Sequence, residues 1–277
     1  MQTVGIVCNK NKERAQGLLK EVSGYLQERK IKVYDNLTNS LTDIISKVEM
    51  IVALGGDGTI LNIANTLKGK DIPVLGVNCG KLGFITDVRQ EEVYEQLDQI
   101  LKENFKKEVR FMLDVKVTCK DEPAKQYSFS ALNDVVIHRE GVSRYLNISL
   151  RVNGDDIYSV GGDGIIVSTP TGSTAYNLSA GGPIVHSTAE NIIITPICHH
   201  SLIQKSIVLS KNDHVVLDIY CKKENERAHM IIDGQKSMEV REGDMVEVAA
   251  SSFRFTMIRN SKRNYFQVIK QKFGWQT

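Results

Sequence analysis

The chain has 277 residues, 42% hydrophobic and 25% charged, with 21 glycines and 5 prolines, a globular composition that excludes a disordered or fibrous chain. Its 35 basic and 33 acidic residues leave a net charge of +2, too little for the global field by which many proteins hold nucleic acid. The length is about twice that of a typical domain, so one large fold or two medium ones fit.

In chain order, short apolar runs alternate with helix-like stretches: Val4 to Val7, a polar segment to Lys30, Ile31 to Tyr34, Ile51 to Leu54 and Pro73 to Val77. That is a β-α-β rhythm. Within the first polar segment Ala15, Leu18, Leu19, Val22, Tyr25 and Leu26 form one apolar stripe at three- and four-residue intervals, which predicts an amphipathic helix. Val93, Leu97 and Leu101 predict another over Glu91 to Leu101.

From about Phe111 the period becomes two, with Phe111, Leu113, Val115 and Val117 alternating with Met112, Asp114, Lys116 and Thr118. This is half-buried antiparallel strand. Tyr145 to Val152 runs into Asn153-Gly154, a two-residue hairpin turn. Further strands are expected over Val208 to Tyr220 and Met230 to Phe255, broken at Asp233-Gly234 and Glu242-Gly243-Asp244. The change of period divides the chain into residues 1–108, 109–258 and a segment 259–277. In that last segment Tyr265, Ile269 and Phe273 have helical spacing, and it is expected to pack back on the first domain.

The five cysteines are scattered with no Cys-x-x-Cys pair, which points to reduced thiols and a cytoplasmic protein. No signal peptide and no apolar run of about 18 residues is visible, so no membrane association is expected. Cys198-His199-His200 does not make a zinc site, because adjacent strand residues point to opposite faces.

The densest chemical signal is Gly55-Gly56-Asp57-Gly58-Thr59, between an apolar strand and a helix. It places Asp57 at the carboxyl end of a strand, where ligands bind in open α/β sheets, with glycines that let a phosphate or a ribose approach the backbone. A plain tight turn is the alternative. A second Gly-Asp-Gly, at Gly162 to Gly164, opens a stretch from Gly164 to Ala189 without Asp, Glu, Lys or Arg. That composition fits a neutral pocket rich in hydrogen-bond donors, or a buried strand followed by a capped helix. Lys10, Lys12 and Arg14 form a basic run near the first turn, either a contact for donor phosphates or a solvated surface.

Together Gly55-Gly-Asp-Gly58, Gly80-Lys-Leu-Gly-Phe84, Asn133-Asp-Val135 and Gly162-Asp-Gly through Ser168-Thr-Pro-Thr-Gly-Ser-Thr-Ala-Tyr176 resemble the NAD kinase family, within the wider diacylglycerol kinase and phosphofructokinase-like group. The resemblance implies an α/β, Rossmann-like N-terminal lobe with a mostly parallel sheet, binding nucleotide. An all-β, sandwich-like lobe that binds NAD follows it.

The same resemblance implies transfer of the terminal phosphoryl group of ATP, or of polyphosphate, to the adenosine-ribose 2′-hydroxyl of NAD. Mg²⁺ or another divalent cation accompanies the donor, and the protein forms a homodimer or homotetramer. Asp57 becomes the catalytic carboxylate, as base or as metal ligand, with Gly55, Gly56, Gly58 and Thr59 as phosphate loop. NAD contacts are implied at Asp57, Gly58, Phe84, Asn133, Asp134, Arg144, Asp163, Thr174, Ala175, Tyr176, Asn177, Leu178, Ser179 and Gln235. The family more often has Asn-Glu where this chain has Asn133-Asp134. A lipid or sphingoid-base kinase, or a dinucleotide sensor without turnover, is the alternative reading.

Overall fold

The structure, a computed structural model, describes residues 1–80, 83–139, 146–198, 205–221, 227–260 and 262–275. It divides into two compact units, Met1–Arg110 with Arg254–Thr277, and Phe111–Phe253.

In the first unit the β-α-β rhythm becomes β1 (Thr3–Cys8), α1 (Glu13–Glu28), β2 (Lys32–Asp35), α2 (Leu41–Ile45), β3 (Met50–Gly55), α3 (Asp57–Leu67), β4 (Val74–Asn78), β5 (Val88–Arg89) and α4 (Val93–Leu101). The parallel order is β2-β1-β3-β4. β3 is buried throughout, as expected of a central parallel strand covered on both faces. The stripe of α1 packs Ala15, Leu18, Leu19, Val22 and Leu26 into this core, with Tyr25 half-buried at its margin. In α4 the buried face runs through Val93, Leu97 and Ile100, and Leu101 stays at the edge, because the residue three positions on faces the sheet more squarely than the one four on.

The second unit opens with β6 (Lys106–Thr118), whose first residues belong to the first, followed by β7 (Gln126–Ala131), β8 (Asp134–Arg139), β9 (Leu146–Val152), β10 (Asp155–Gly162) and β11 (Gly164–Ser168). Then come α5 (Tyr176–Ser179), β12 (Asn191–Ile197), β13 (Ile207–Ser210), β14 (Val215–Cys221), β15 (Ala228–Ile232), β16 (Lys236–Val240) and β17 (Met245–Arg259). One antiparallel layer joins β10, β9, β14 and the start of β17, and β6 pairs with β7. The other has the order β13-β12-β11-β8-β15-β16. Leu113, Val115, Ile148, Leu150 and Leu217 from the first layer share one core with Val135, Ile137, Ile165, Val167 and Met230 from the second, which is a sandwich. The two hairpin turns carry the positive φ that their sequences predict: Asn153 55° and Gly154 93°, Asp233 52° and Gly234 64°.

The chain ends in the first unit. Met257 and Ile258 of β17 pair in parallel with Val74 and Leu75 of β4. The tail then forms α6 (Tyr265–Phe273), capped by Asn264, whose side chain accepts from the Gln267 amide, and closed by Gly274 at φ 64°. Behind this connection lies a buried charge network. Arg259 Nη1 is 3.1 Å from Asp87 Oδ2, and Arg110 Nη2 is 2.6 Å from Glu108 Oε1. Burial pushes the Asp87 carboxyl up, with Arg259 opposing, and pushes Arg110 down to about 10. Among the described residues no helix is long and apolar enough to cross a membrane.

Removing one member of a buried pair leaves the other charge uncompensated. Arg259→Met is expected to cost about 3–5 kcal/mol, read as a lowered urea midpoint for the first unit; a loss near that of an exposed ion pair would contradict this role.

Candidate active site

In the first unit, β3 ends at Gly55 and α3 begins at Asp57, so the motif is a strand-to-helix turn at the carboxyl edge of the parallel sheet. Gly55 cannot be replaced freely, since a Cβ there would overlap the Thr59 hydroxyl, whereas a Cβ on Gly56 would meet open space. That leaves the approach over Gly56 clear. The Thr59 amide donates to the Gly56 carbonyl at 2.9 Å, so the turn itself uses this N–H.

The Asp57 side chain is held by the segment that starts at Phe84, the last residue of Gly80-Lys-Leu-Gly-Phe84, of which residues 81 and 82 lie outside the described residues. Oδ2 accepts the Phe84 amide at 3.0 Å. Oδ1 accepts the amides of Ile85 and Thr86 at 3.3 and 3.0 Å and the Thr86 hydroxyl at 2.9 Å. Asn78 extends the chain, its Nδ2 donating to Thr86 Oγ1 at 2.9 Å. Oδ2, with one donor, keeps acceptor capacity for a hydroxyl. Gly83 is essential to this closeness, because a Cβ there would stand 2.6 Å from Asp57 Cγ. The Phe84 ring packs 5.6 Å from Phe273 of α6, with Lys272 Nζ 5.2 Å above it, so in this arrangement its neighbours are the chain's own aromatic and cationic groups.

In the second unit a cavity of about 450 Å³ is lined by Asn133, Asp134, Val136, His138, Ala175, Tyr176, Ile231, Asp233 and Gly234. Asp134, Val136 and His138 share one face of β8 by the two-residue period. Asp233 organises the rim: its carboxylate accepts the amides of Leu132, Asn133 and Asp134 at 3.0, 2.7 and 3.1 Å. Asp134 is 4% exposed, and burial, followed by the charge of Asp233, raises its carboxyl to about 7. Asn133 Oδ1 is buried without a hydrogen-bond partner. Behind the cavity wall lie a buried amide oxygen without a partner and a carboxyl able to carry a proton near neutrality.

The remaining expected contacts fall in different places. Ala175 and Tyr176 line the cavity, and Tyr176 is 46% exposed. Thr174 and Leu178 are half-buried, and Ser179 is exposed. Asn177 is instead a clasp: its Nδ2 donates to the Ser173 and Pro183 carbonyls, both at 3.1 Å, and its Oδ1 accepts Thr195 Oγ1 at 2.7 Å. The hydroxyls of the neutral stretch likewise serve the local backbone, Thr169 Oγ1 bonding to the Leu132 carbonyl and Ser173 Oγ to that of Pro170. Asp163 is paired with Arg139 at 2.7 Å. Gln235 is exposed, its amide closing the Asp233-Gly234 turn onto the Ile232 carbonyl. Arg144 lies outside the described residues. Sequence reasoning missed Thr86, Asp233 and the placing of His138; alternation along Asp134, Val136 and His138 was the signal that could have found the last.

A carboxyl raised from its ordinary 3.8 to about 7 binds its proton more tightly in the folded state. Its stabilising contribution is complete below about pH 4 and is lost as the pH rises through about 7, at up to about 1.4 kcal/mol per pH unit. Asp134→Asn should flatten the fall in urea midpoint between pH 5 and pH 8; equal pH dependence in both proteins would refute the burial of an ionisable Asp134.

Residues 35–105 match the ATP-NAD kinase N-terminal domain and residues 132–260 the ATP-NAD kinase C-terminal domain. The chain is 39% identical to an NAD kinase of Thermoanaerobacter sp. (strain X514), over 98% of this chain and 99% of that one. It is 38% identical to an NAD kinase of Lachnoclostridium phytofermentans, over 99% of each. Its fold superposes on a yeast NADH kinase complexed with NADH at TM-score 0.93 and 23% identity, covering 100% of this chain and 88% of the other. An NAD kinase from Archaeoglobus fulgidus in complex with ATP superposes at TM-score 0.77 and 27% identity, covering 99% and 98%. By sequence over its full length, the chain belongs to the NAD kinase family.

Proposed function

We propose that this protein phosphorylates NAD, moving the terminal phosphoryl group of ATP onto the 2′-hydroxyl of the adenosine ribose to give NADP and ADP. The observation that carries the assignment to particular atoms is the Asp57 carboxylate, fixed by four donors and keeping acceptor capacity on Oδ2.

Phosphoryl transfer asks the protein mainly for positioning and charge stabilisation. The acceptor hydroxyl donates its hydrogen bond to Asp57 Oδ2. As the new bond from O2′ to phosphorus forms and the bond from the terminal phosphorus to the bridging oxygen breaks, the hydroxyl proton passes to Asp57 and the electron pair leaves with ADP. Anchoring by the amides of residues 84–86 keeps the carboxylate from swinging away. The second unit's cavity, taken by itself, has the size and lining for one aromatic base, with Tyr176 to lie against a ring.

Among the described residues no three His, Cys, Asp or Glu side chains are grouped to hold a metal. A divalent cation that accompanies the donor would neutralise charge on its phosphates.

Asp57→Asn keeps the shape and removes the proton acceptor. NADP formation should fall about 10²–10⁴-fold while NAD still binds, measured with an NADP-specific dehydrogenase and by NAD titration. Undiminished turnover would remove Asp57 from the reaction, and NAD binding with no turnover in the unmutated protein would favour a sensor. Gly83→Ala pushes against the same carboxylate without altering its chemistry. A loss of roughly 100-fold in kcat is expected from misplacement alone, and a kcat near the parent value would show that the 84–86 anchor is not needed.

A further inference from the structure

We infer that Asn78 and Thr86 are positioning residues for the phosphoryl transfer, forming a one-way relay of hydrogen bonds that fills one oxygen of Asp57 and leaves the other to the acceptor hydroxyl; this rests on the kinase reading given above. Every residue of the relay belongs to the first unit.

The direction of the relay follows from its far end. The Gly80 backbone N–H can only donate, and it reaches Asn78 Oδ1 at 2.7 Å. That settles which end of the Asn78 amide is oxygen, so its nitrogen is the end that meets Thr86 Oγ1 at 2.9 Å, and there it can only donate. The Thr86 hydroxyl, having accepted from Asn78, has its own hydrogen to give, and the ionised Asp57 Oδ1 at 2.9 Å can only accept. Reversing any one of these bonds would set two hydrogens or two lone pairs against each other.

Packing holds the hydroxyl in this place. Thr86 is fully buried and Asn78 nearly so. Gly76 and Asn78 lie on one face of β4 by the two-residue period. A Cβ on Gly76 would stand 3.3 Å from both Cα and Cγ2 of Thr86, so the bare backbone at Gly76 is what lets the Thr86 methyl rest against β4. A β-branched side chain with its methyl seated is fixed at χ1, and the hydroxyl of that rotamer falls between Asn78 and Asp57.

The consequence is an asymmetric carboxylate. Oδ1 receives the Ile85 amide, the Thr86 amide and the Thr86 hydroxyl, while Oδ2 receives the Phe84 amide alone. The two oxygens of a carboxylate are alike until donors tell them apart. With Oδ1 filled, Oδ2 is the oxygen left to accept from a substrate hydroxyl, and a turn of the carboxylate about its Cβ–Cγ bond would break the Thr86 contact. Of the four donors the hydroxyl is the one that comes from a side chain, so a substitution can remove it and leave the three backbone N–H groups in place.

The test compares the parent protein with Thr86→Val, Thr86→Ser, Asn78→Leu and the double variant Asn78→Leu with Thr86→Val, thermal melts verifying that each folds. Thr86→Val, which keeps the shape, should lower kcat for NADP formation about tenfold or more, with the KM for NAD and for ATP within about twofold of the parent. Thr86→Ser, which keeps the hydroxyl, should return kcat to within about threefold of the parent. Asn78→Leu should lower kcat by about three- to tenfold by itself and not at all in the Thr86→Val background, because Asn78 acts through the hydroxyl. In parallel, the carbon-13 resonance of the Asp57 carboxyl, which senses the donors on its oxygens, should move in Thr86→Val and return in Thr86→Ser. An undiminished kcat in Thr86→Val, a Thr86→Ser no better than Thr86→Val, additive losses in the double variant, or a carboxyl resonance that stays put would overturn the relay. If the parent makes no NADP, the kinase reading falls, while the Asp57 resonance still decides whether the relay exists.

Discussion

The first unit depends on one buried ion pair. Asp87 is fully buried, and burial alone would drive its carboxyl toward the neutral form. Arg259, brought from the far end of β17, makes the charge tolerable, and Asn260 and Arg263 complete the surroundings by donating to the Asp87 carbonyl at 3.3 and 2.6 Å. The segment around residue 87 is therefore held by a strand whose end lies more than 150 positions further along the chain. That segment is short, and its other end is hooked by Asp57. Held at both ends, the amides of residues 84–86 have little freedom, and the carboxylate they grip has as little.

The two adjacent carboxylates of the second unit divide the work in a different way. Asp233 sits in the left-handed region of a hairpin turn, where its side chain folds back and collects three consecutive amides. Asp134 shares the neighbourhood and receives none of them through its carboxyl. One acid is thereby a fixed part of the backbone scaffold. The other is left buried beside a like charge, the condition under which a carboxyl holds its proton to near neutrality.

Much of this was legible in the amino-acid order, and the reason lies in periodicity. The stripe through Ala15, Leu18, Val22 and Leu26, and the alternation through Leu113, Val115 and Val117, are local signals that tertiary packing reinforced. The two-residue turns at Asn153 and Asp233 followed from backbone sterics. What could not be read were pairings across the chain. Nothing near Asp57 says that residues 84–86 will hold it, and nothing near Asn177 says that Thr195 and Pro183 will use up its amide. A composition rich in Ser and Thr counts donors; it does not say that the backbone of the same loop has already taken them.

The aromatic end of α6 has a further consequence. Trp275 is the sole tryptophan of the chain, and its ring is 5.3 Å from Phe273, which in turn packs on Phe84 beside the amides that hold Asp57. More than half exposed, the indole has water on one side and this stack on the other. The protein thus comes with a single built-in fluorophore whose emission reports on the order of the segment next to the Asp57 carboxylate, with no label to attach and no second indole to obscure the signal.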